Sequence, residues 1–383
     1  MLTLPDGRQA AFLTESQAPA PSELTRVDDT VAADTALRML QAGDTLLWEG
    51  DYRNGRELLG ALKRRLKRSA GAPTGDDLAA RWRAERAATR ETAEVLGALM
   101  VLVNPDGSLA LRQAPETREA IELAWGASPD HRLVALNALQ GALSAAEWTR
   151  KGIEVRGLTG RLTPSYGVFS PTRSVYVDLV SRLDVRGKSV LDVGCGTGVL
   201  AFVLLQAGAS EAVGTDLDER AIACAEMNAE KLGLRDRFTA TQADLFPEGA
   251  RADWVVFNAP WIPEVPRTRL DRTVFDAGGE VVTRFLNTVE AHLEPGGRAA
   301  LVLSDLPERV GLRADGAVED MAEAAGLQVA EIHDAPASHR RAKDPSDPLH
   351  SARAAERVRL FVLEAPSDER PSAESPHESG PEG

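Results

Sequence analysis

Two hydrophobic periods alternate along the chain, and the alternation predicts its elements. Apolar residues three and four apart read as amphipathic helices; short β-rich apolar runs read as buried strands. Thr30 to Ala42 has helical spacing, with Leu37 and Leu40 on one side. Asp44-Thr45-Leu46-Leu47-Trp48-Glu49 reads as a short buried strand. Asn54 to Leu66 is helical again, with Leu58, Leu59, Leu62 and Leu66 forming one apolar face. Gly71 to Asp77 reads as a loop, and the Ala-rich stretch from Asp77 to Met100 as one or two helices. Two apolar runs around Asn104-Pro105-Asp106-Gly107, between Val101 and Leu111, predict a hairpin. Pro115–Trp125 and Arg132–Gln140 read as helices, and Trp148 to Leu162 as a connecting segment. Residues 1 to about 25 predict a loose start or a short hairpin.

The pattern sharpens after Thr172. A helix is predicted over Thr172 to Leu183, then a strand at Ser189–Val193, a glycine-rich loop, and a helix from Val199. Further strands are predicted at Glu211–Asp216, Arg237–Asp244 and Ala252–Phe257. All four carry a polar group at their ends: Asp192, Asp216, Asp244 and Asn258. In an open α/β sheet the carboxyl edge is where ligands bind. Ile262 to Thr273 is rich in proline and arginine (Pro263, Pro266, Arg267, Arg269, Arg272) and reads as a loop governing substrate choice. Phe275 opens a helix to about His292; Pro295-Gly296-Gly297 turns into a strand at Arg298–Leu303. Asp315–Ala325 is helical, and Gln328–His333 and Arg357–Leu363 predict a final antiparallel pair. Between them His339 to His350, with Arg340, Arg341 and Lys343, reads as an exposed polar loop. Residues 366–383 are rich in Pro, Ser, Glu and Gly and predict a disordered tail.

Composition narrows the class. A chain of 383 residues fits two domains. The net charge of −14 argues against a uniformly basic, nucleic-acid-binding surface, though a local basic groove is compatible with it. Lys63-Arg64-Arg65-Leu66-Lys67-Arg68, with Arg81, Arg83, Arg86 and Arg90 around Trp82, would be such a patch; a solvated helix end is the plainer explanation, and Glu85 and Glu91 dilute the patch. No apolar run approaches the roughly 20 residues needed to cross a bilayer. The start of the chain lacks a signal peptide's pattern, so a cytoplasmic location is expected. Only Cys195 and Cys224 are present, which suits neither a disulfide framework nor a zinc site, and no metal is expected.

The glycine loop carries the chemistry. In Asp192-Val193-Gly194-Cys195-Gly196-Thr197-Gly198 the third glycine stands at 198, where a dinucleotide fingerprint would want one at Val199. Asp192 would repel a pyrophosphate but favour a cationic sulfonium or amino group. Asp216 is placed for ribose hydroxyls, and Asp244 for an adenine amino group. At the fourth tip, Asn258-Ala259-Pro260-Trp261 offers two carbonyl acceptors, a stiff turn and an aromatic face.

These residues resemble a class I S-adenosylmethionine-dependent methyltransferase over about residues 160 to 365. Asp192 to Gly198 is similar to the family's first motif, and Asp216 and Asp244 to its second- and third-strand acids. Asn258-Ala259-Pro260-Trp261 resembles the Asn/Asp-Pro-Pro-aromatic signature of enzymes that methylate planar nitrogens, with alanine in place of the first proline. Tyr166-Gly167-Val168-Phe169-Ser170-Pro171-Thr172-Arg173 resembles the segment before the first motif in bacterial ribosomal RNA guanine-N2 methyltransferases. The resemblance implies a Rossmann-like α/β fold: a seven-stranded methyltransferase sheet in residues 151–365 with a smaller mixed α/β accessory domain in 1–150. That accessory domain would be a degenerate methyltransferase-like copy or a substrate-binding unit. The implied cofactor is S-adenosyl-L-methionine, held by Asp192, Gly194, Cys195, Gly196, Gly198, Asp216, Leu217, Asp244, Leu245 and Asn258, with Asn258, Ala259, Pro260 and Trp261 catalytic. The implied activity is N-methyl transfer to guanine N2 in ribosomal RNA processing, so the partner is RNA or, in the alternative, a protein glutamine of the release-factor type. A cofactor-binding module without turnover is a third reading, motivated by Ala259. A nicotinamide oxidoreductase is opposed by the glycine spacing and by Asp192.

Overall fold

The computed structural model describes residues 1–15, 19–71, 75, 77–171, 174–268 and 270–366. Thr172 and Arg173 of the segment before the first motif, Arg269 of the proline-rich loop, part of the Gly71–Asp77 loop and nearly all of the expected tail lie outside the described residues.

Residues 2 to 135 build a six-stranded mixed sheet. Its strands are β1 (Leu2–Thr3), β2 (Gln9–Leu13), β3 (Thr25–Val27), β4 (Leu46–Trp48), β5 (Leu99–Val103) and β6 (His131–Ala135), in the order β1-β2-β6-β5-β4-β3. Strands β3, β4 and β5 are parallel, whereas β6 runs antiparallel to β5 and parallel to β2. Side chains alternate in β5: Leu99, Val101 and Val103 join one core, and Met100 and Leu102 the other. The larger core also takes apolar faces from α1 (Ala33–Gln41), α2 (Tyr52–Ala70), α3 (Leu78–Gly97), α4 (Arg118–Trp125) and α5 (Leu136–Lys151).

A short hairpin of β7 (Ile153–Glu154) and β8 (Arg161–Leu162) leads to α6 (Val175–Val180) and the second sheet. That sheet has seven strands: β9 (Ser189–Val193), β10 (Glu211–Asp216), β11 (Phe238–Gln242), β12 (Ala252–Asn258), β13 (Leu293–Ser304), β14 (Gln328–Pro336) and β15 (Arg357–Glu364). Their order is β11-β10-β9-β12-β13-β15-β14, with β15 antiparallel to both its neighbours and the other pairings parallel. This is the Rossmann-like methyltransferase sheet expected from the sequence. Helices cover both faces, as parallel strands require. On one side α7 (Val199–Gln206) and α8 (Glu219–Lys231) pack with α6 over Val190, Trp254, Val256, Ala300 and Val302. On the other, α9 (Glu280–Thr288) and α11 (Ala317–Ala324) pack over Leu191, Val193, Val255, Phe257 and Leu301. Two short helices, α10 (Leu306–Arg309) and α12 (His350–Ala355), follow β13 and precede β15.

Several local readings are corrected. Arg132 to Ala135 is strand, not helix: β6 lies between β2 and β5, buried on both faces, and so shows no period of two. The run after Asn104-Pro105-Asp106-Gly107 does not form a second hairpin strand. A single bridge joins Val103 to Leu109, because β5 takes its partners from β4 and β6 instead. Asp77 to Met100 holds one helix, ending at Gly97, and Met100 already belongs to β5. The segment from Trp148 continues α5 to Lys151 and then forms the β7–β8 hairpin. The loop from His339 to His350 is not simply exposed: Ala342 and Leu349 are buried in it.

Candidate active site

Parallel pairing brings the four strand tips together. Val193 is level with Thr215 on β10 and with Phe257 on β12, and Asp216 is level with Gln242 on β11. The residues that follow, from Gly194, Asp216, Asp244 and Asn258, therefore share one carboxyl edge.

The glycine loop turns sharply there. Gly194, Gly196 and Gly198 have φ of 63°, 54° and 82°, a region that favours glycine. The Gly198 N–H donates to the Cys195 carbonyl at 2.8 Å, and the Cys195 N–H to the Thr215 carbonyl at 2.7 Å. A Cβ on Gly198 would lie 2.4 Å from the Phe202 ring, which is fully buried. The loop thus presents bare backbone, which a nucleoside-bearing ligand can approach. The buried Thr197 hydroxyl has no hydrogen-bond partner among the described residues, a polar atom still available to such a ligand. Cys195 is buried, and burial pushes its thiol well up, so it is a packing residue and not a nucleophile.

The acids divide by burial. Asp192 is 1% exposed, and its Oδ2 accepts the Ala201 N–H at 3.1 Å. Burial pushes its carboxyl up to about 7; the Ala201 N–H opposes this and the Asp216 charge adds to it. Asp216 accepts the Gly196 N–H at 3.1 Å and the Asp218 N–H at 3.0 Å, and so ties the second strand tip to the loop. Burial raises its carboxyl as well, against those two donors. Asp244 is the exposed one: its Oδ2 accepts from Nη2 of Arg284, on α9, at 2.7 Å. Leu217 is 57% exposed beside Asp216. Leu245 is nearly buried with φ of 66°, a strained value for leucine, and its carbonyl accepts the Thr215 hydroxyl at 2.7 Å.

At the fourth tip the Trp261 Nε1–H donates to Asn258 Oδ1 at 3.2 Å. A carbonyl oxygen has two lone pairs, so one acceptor position is left on Asn258 and its amide is oriented by the indole. Ala259 is buried, and Pro260 and Trp261 are half-buried. A small cavity bounded by Tyr176, Trp261, His339 and Glu356 lies against the turn. Glu356 is buried there and accepts from Ser304 Oγ and His339 Nε2, each at 2.7 Å. Tyr166 packs edge-on against Trp125 of α4, with ring centroids 5.2 Å apart, and burial pushes its phenol up to about 12.

Sequence reasoning did not find the contact that α3 makes with the loop after Trp261. Trp82 and Arg86, grouped above with a basic patch, point into the protein. The Trp82 Nε1–H donates to Glu264 Oε1 at 3.0 Å, and Arg86 Nε to Glu264 Oε2 at 3.2 Å. Trp82 and Glu264 are separated by 182 residues, so no local pattern could pair them.

The matched region contains the glycine loop and all four strand tips. A family model described as ribosomal protein L11 methyltransferase (PrmA) matches residues 170–262. The ribosomal protein L11 methyltransferase of Escherichia coli (strain SMS-3-5 / SECEC) is 42% identical over 88 residues, covering 23% of this chain and 30% of that protein. The protein of the same name from Salmonella newport (strain SL254) gives the same values, 42% over 88 residues. The chain thus spans less than a third of the length of the curated relatives it matches. Among solved structures, a ribosomal protein L11 methylase from Lactobacillus delbrueckii subsp. bulgaricus is 16% identical, with 49% of this chain and 74% of that chain covered and a TM-score of 0.34. A putative RNA methyltransferase from Pyrococcus horikoshii is 17% identical, with 55% and 94% covered and a TM-score of 0.37. The seven-stranded unit has the Rossmann-like methyltransferase fold, and the segment that carries its glycine loop and strand tips is similar to ribosomal protein L11 methyltransferases.

Proposed function

We propose that this chain is a cytoplasmic N-methyltransferase acting on a planar nitrogen, and that the nitrogen belongs to a protein side-chain amide. One observation carries the reaction type: Asn258, oriented by Trp261, stands at the tip of a strand next to the glycine loop. S-adenosylmethionine supplies an electrophilic methyl group on a sulfonium centre. The residues of the chain do the rest. Asn258 Oδ1 accepts one substrate N–H and the Ala259 carbonyl the other, which turns the nitrogen lone pair toward the methyl and stabilises charge developing on nitrogen. Pro260 stiffens the turn, and Trp261 stacks on the flat substrate group. Gly194, Gly196 and Gly198 admit the cofactor, Asp216 and Asp244 receive its ribose and adenine, and Asp192 favours its cationic end. Cys195, Leu217 and Leu245 line the same cleft. Alanine at 259 keeps the carbonyl, so turnover is retained.

The protein substrate is favoured by three features. Arg86, Arg341 and Arg353 are engaged with Glu264, Glu85 and Asp347, which removes them from phosphate binding. The net charge is −14, and the matched family acts, by its description, on a ribosomal protein. The second reading is guanine N2 of ribosomal RNA, supported by Lys63, Arg64, Lys67 and Arg68, which are exposed at the end of α2. We take residues 1–150 as an accessory unit on the substrate side and 151–365 as the transfer unit.

The test is transfer of radiolabelled methyl from S-adenosylmethionine to protein and RNA fractions of a deletion strain, with Asn258→Ala as control. Label in protein that vanishes with Asn258→Ala supports the proposal. Label confined to RNA moves the assignment to a nucleobase. Cofactor binding with no label in either fraction leaves a binding module without turnover.

A further inference from the structure

We infer that helix α3 of the N-terminal unit fixes the substrate-side turn of the methyltransferase unit, with Glu264 as the positioning residue. The inference rests on the reading of Asn258–Trp261 as the acceptor turn.

The turn is not held by its own strand alone. Directly after Trp261, the Ile262 N–H donates to the Val274 carbonyl at 2.9 Å, and the Asp276 N–H to the Ile262 carbonyl at 2.8 Å. Ile262 and Phe275 therefore form a parallel bridge that closes the loop behind the turn. Asp276 then caps α9 through the Val281 and Val282 N–H groups. This bridge is gripped from outside by α3. Arg86 lies over the Phe275 ring, 3.8 Å from its centroid, and reaches Glu264 at 3.2 Å. Trp82 donates to the other oxygen of the same carboxylate. Trp82 is 6% exposed and packs in one apolar cluster with Ile262, Leu306, Val310, Leu349 and Ala352.

The same helix holds the other loop at this edge. Glu85, on α3, accepts from Arg353 at 3.1 Å and from Arg341 at 2.6 Å. Arg353 also pairs with Asp347 and lies over the Trp82 ring at 5.7 Å. Residues 82, 85 and 86 share one helical face, so a single surface meets both substrate-side loops. The acceptor site is then a joint product of the two units. A cleft built this way loses substrate positioning when α3 lifts, while the glycine loop, on β9, is untouched.

The experiment uses the full chain with Glu264→Gln, Arg86→Glu, and the charge-swapped pair Arg86→Glu with Glu264→Arg. Hydrogen exchange by mass spectrometry is read on peptides spanning the Ile262–Phe275 bridge and, separately, on β9. Expected in both single variants is about a tenfold faster exchange at the bridge, from loss of charge-assisted bonds, with β9 unchanged. Expected in the swapped pair is partial recovery over Arg86→Glu alone, since the ion pair returns while the Trp82 N–H loses its acceptor and the Phe275 face its cation. Methyl transfer falls in the single variants through a raised KM with kcat changed less, while S-adenosylmethionine affinity by calorimetry is unaltered. Unchanged exchange at the bridge in Glu264→Gln, or exchange on β9 raised as much as at the bridge, overturns the inference. If the wild-type chain transfers no methyl, the proposed function fails, and the exchange data still decide the role of Glu264.

Discussion

Trp261 donates its indole N–H to the side-chain carbonyl of Asn258 at 3.2 Å, so the aromatic residue of the turn also orients the amide that would receive substrate. Trp261→Phe keeps an aromatic face but removes that donor. Methyl transfer should fall about five- to tenfold, the effect of one neutral hydrogen bond. Asn258→Ala should cost about a hundredfold or more, as does loss of a preorganised polar group at a reacting centre. Steady-state kinetics beside cofactor calorimetry checks this. Equal losses in both variants, or weakened cofactor binding in Trp261→Phe, would contradict the assigned roles.

Asp192 gives a pH signature. Its carboxyl, raised to about 7 by burial, is protonated in the folded protein where an unfolded chain would already be ionised. The folded state holds the extra proton, so this group's contribution to stability is complete below about pH 4 and is lost as pH rises through about 7. Asp192→Asn should flatten the fall in Tm between pH 5 and 8, on the order of the ordinary range of carboxyl linkage. A cationic ligand beside Asp192 favours its ionised form, so S-adenosylmethionine should bind more tightly at pH 8 than at pH 6, with proton release. Calorimetry in two buffers of different ionisation enthalpy measures that release, and its absence in wild type would remove the charge role of Asp192.

Gly198 is fixed by space as well as by φ. Gly198→Ala should destabilise by about 3 kcal/mol, combining a left-handed alanine with contact against the buried Phe202 ring. Phe202→Leu in the same chain should recover part of it, a departure from additivity that urea unfolding can read. If the two losses simply add, the ring is not the obstacle.

Arg353 is 4% exposed and stands between Glu85 and Asp347. Arg353→Met removes the buried cation and leaves Glu85 and Asp347 to the half-exposed Arg341 alone, so it should cost about 2–3 kcal/mol, less than a fully uncompensated buried charge. Chemical denaturation checks the value. A loss below about 1 kcal/mol would mean that the pairing behaves as an exposed one.

The sequence by itself determined everything that local physics writes into neighbouring residues. Glycines at 194, 196 and 198 can only mean a turn that side chains would block, and apolar strands with polar tips mark a parallel sheet with a ligand edge. Hence the methyltransferase sheet, its loop and its acids were legible from Ser189 onward. The strand at His131–Ala135 was not, because a strand buried on both faces has no alternation to read. Nor was the hairpin at Val101–Leu111 real: β5 gains more buried pairing from β4 and β6 than from the segment beside it. Tertiary structure alone decided that Asp244 meets Arg284, that Trp82 and Arg86 turn inward to Glu264, and that the His339–His350 loop is gripped by Glu85. Charged residues look alike in sequence whether solvated or paired. Burial decides between the two, and burial is set by partners up to hundreds of residues away.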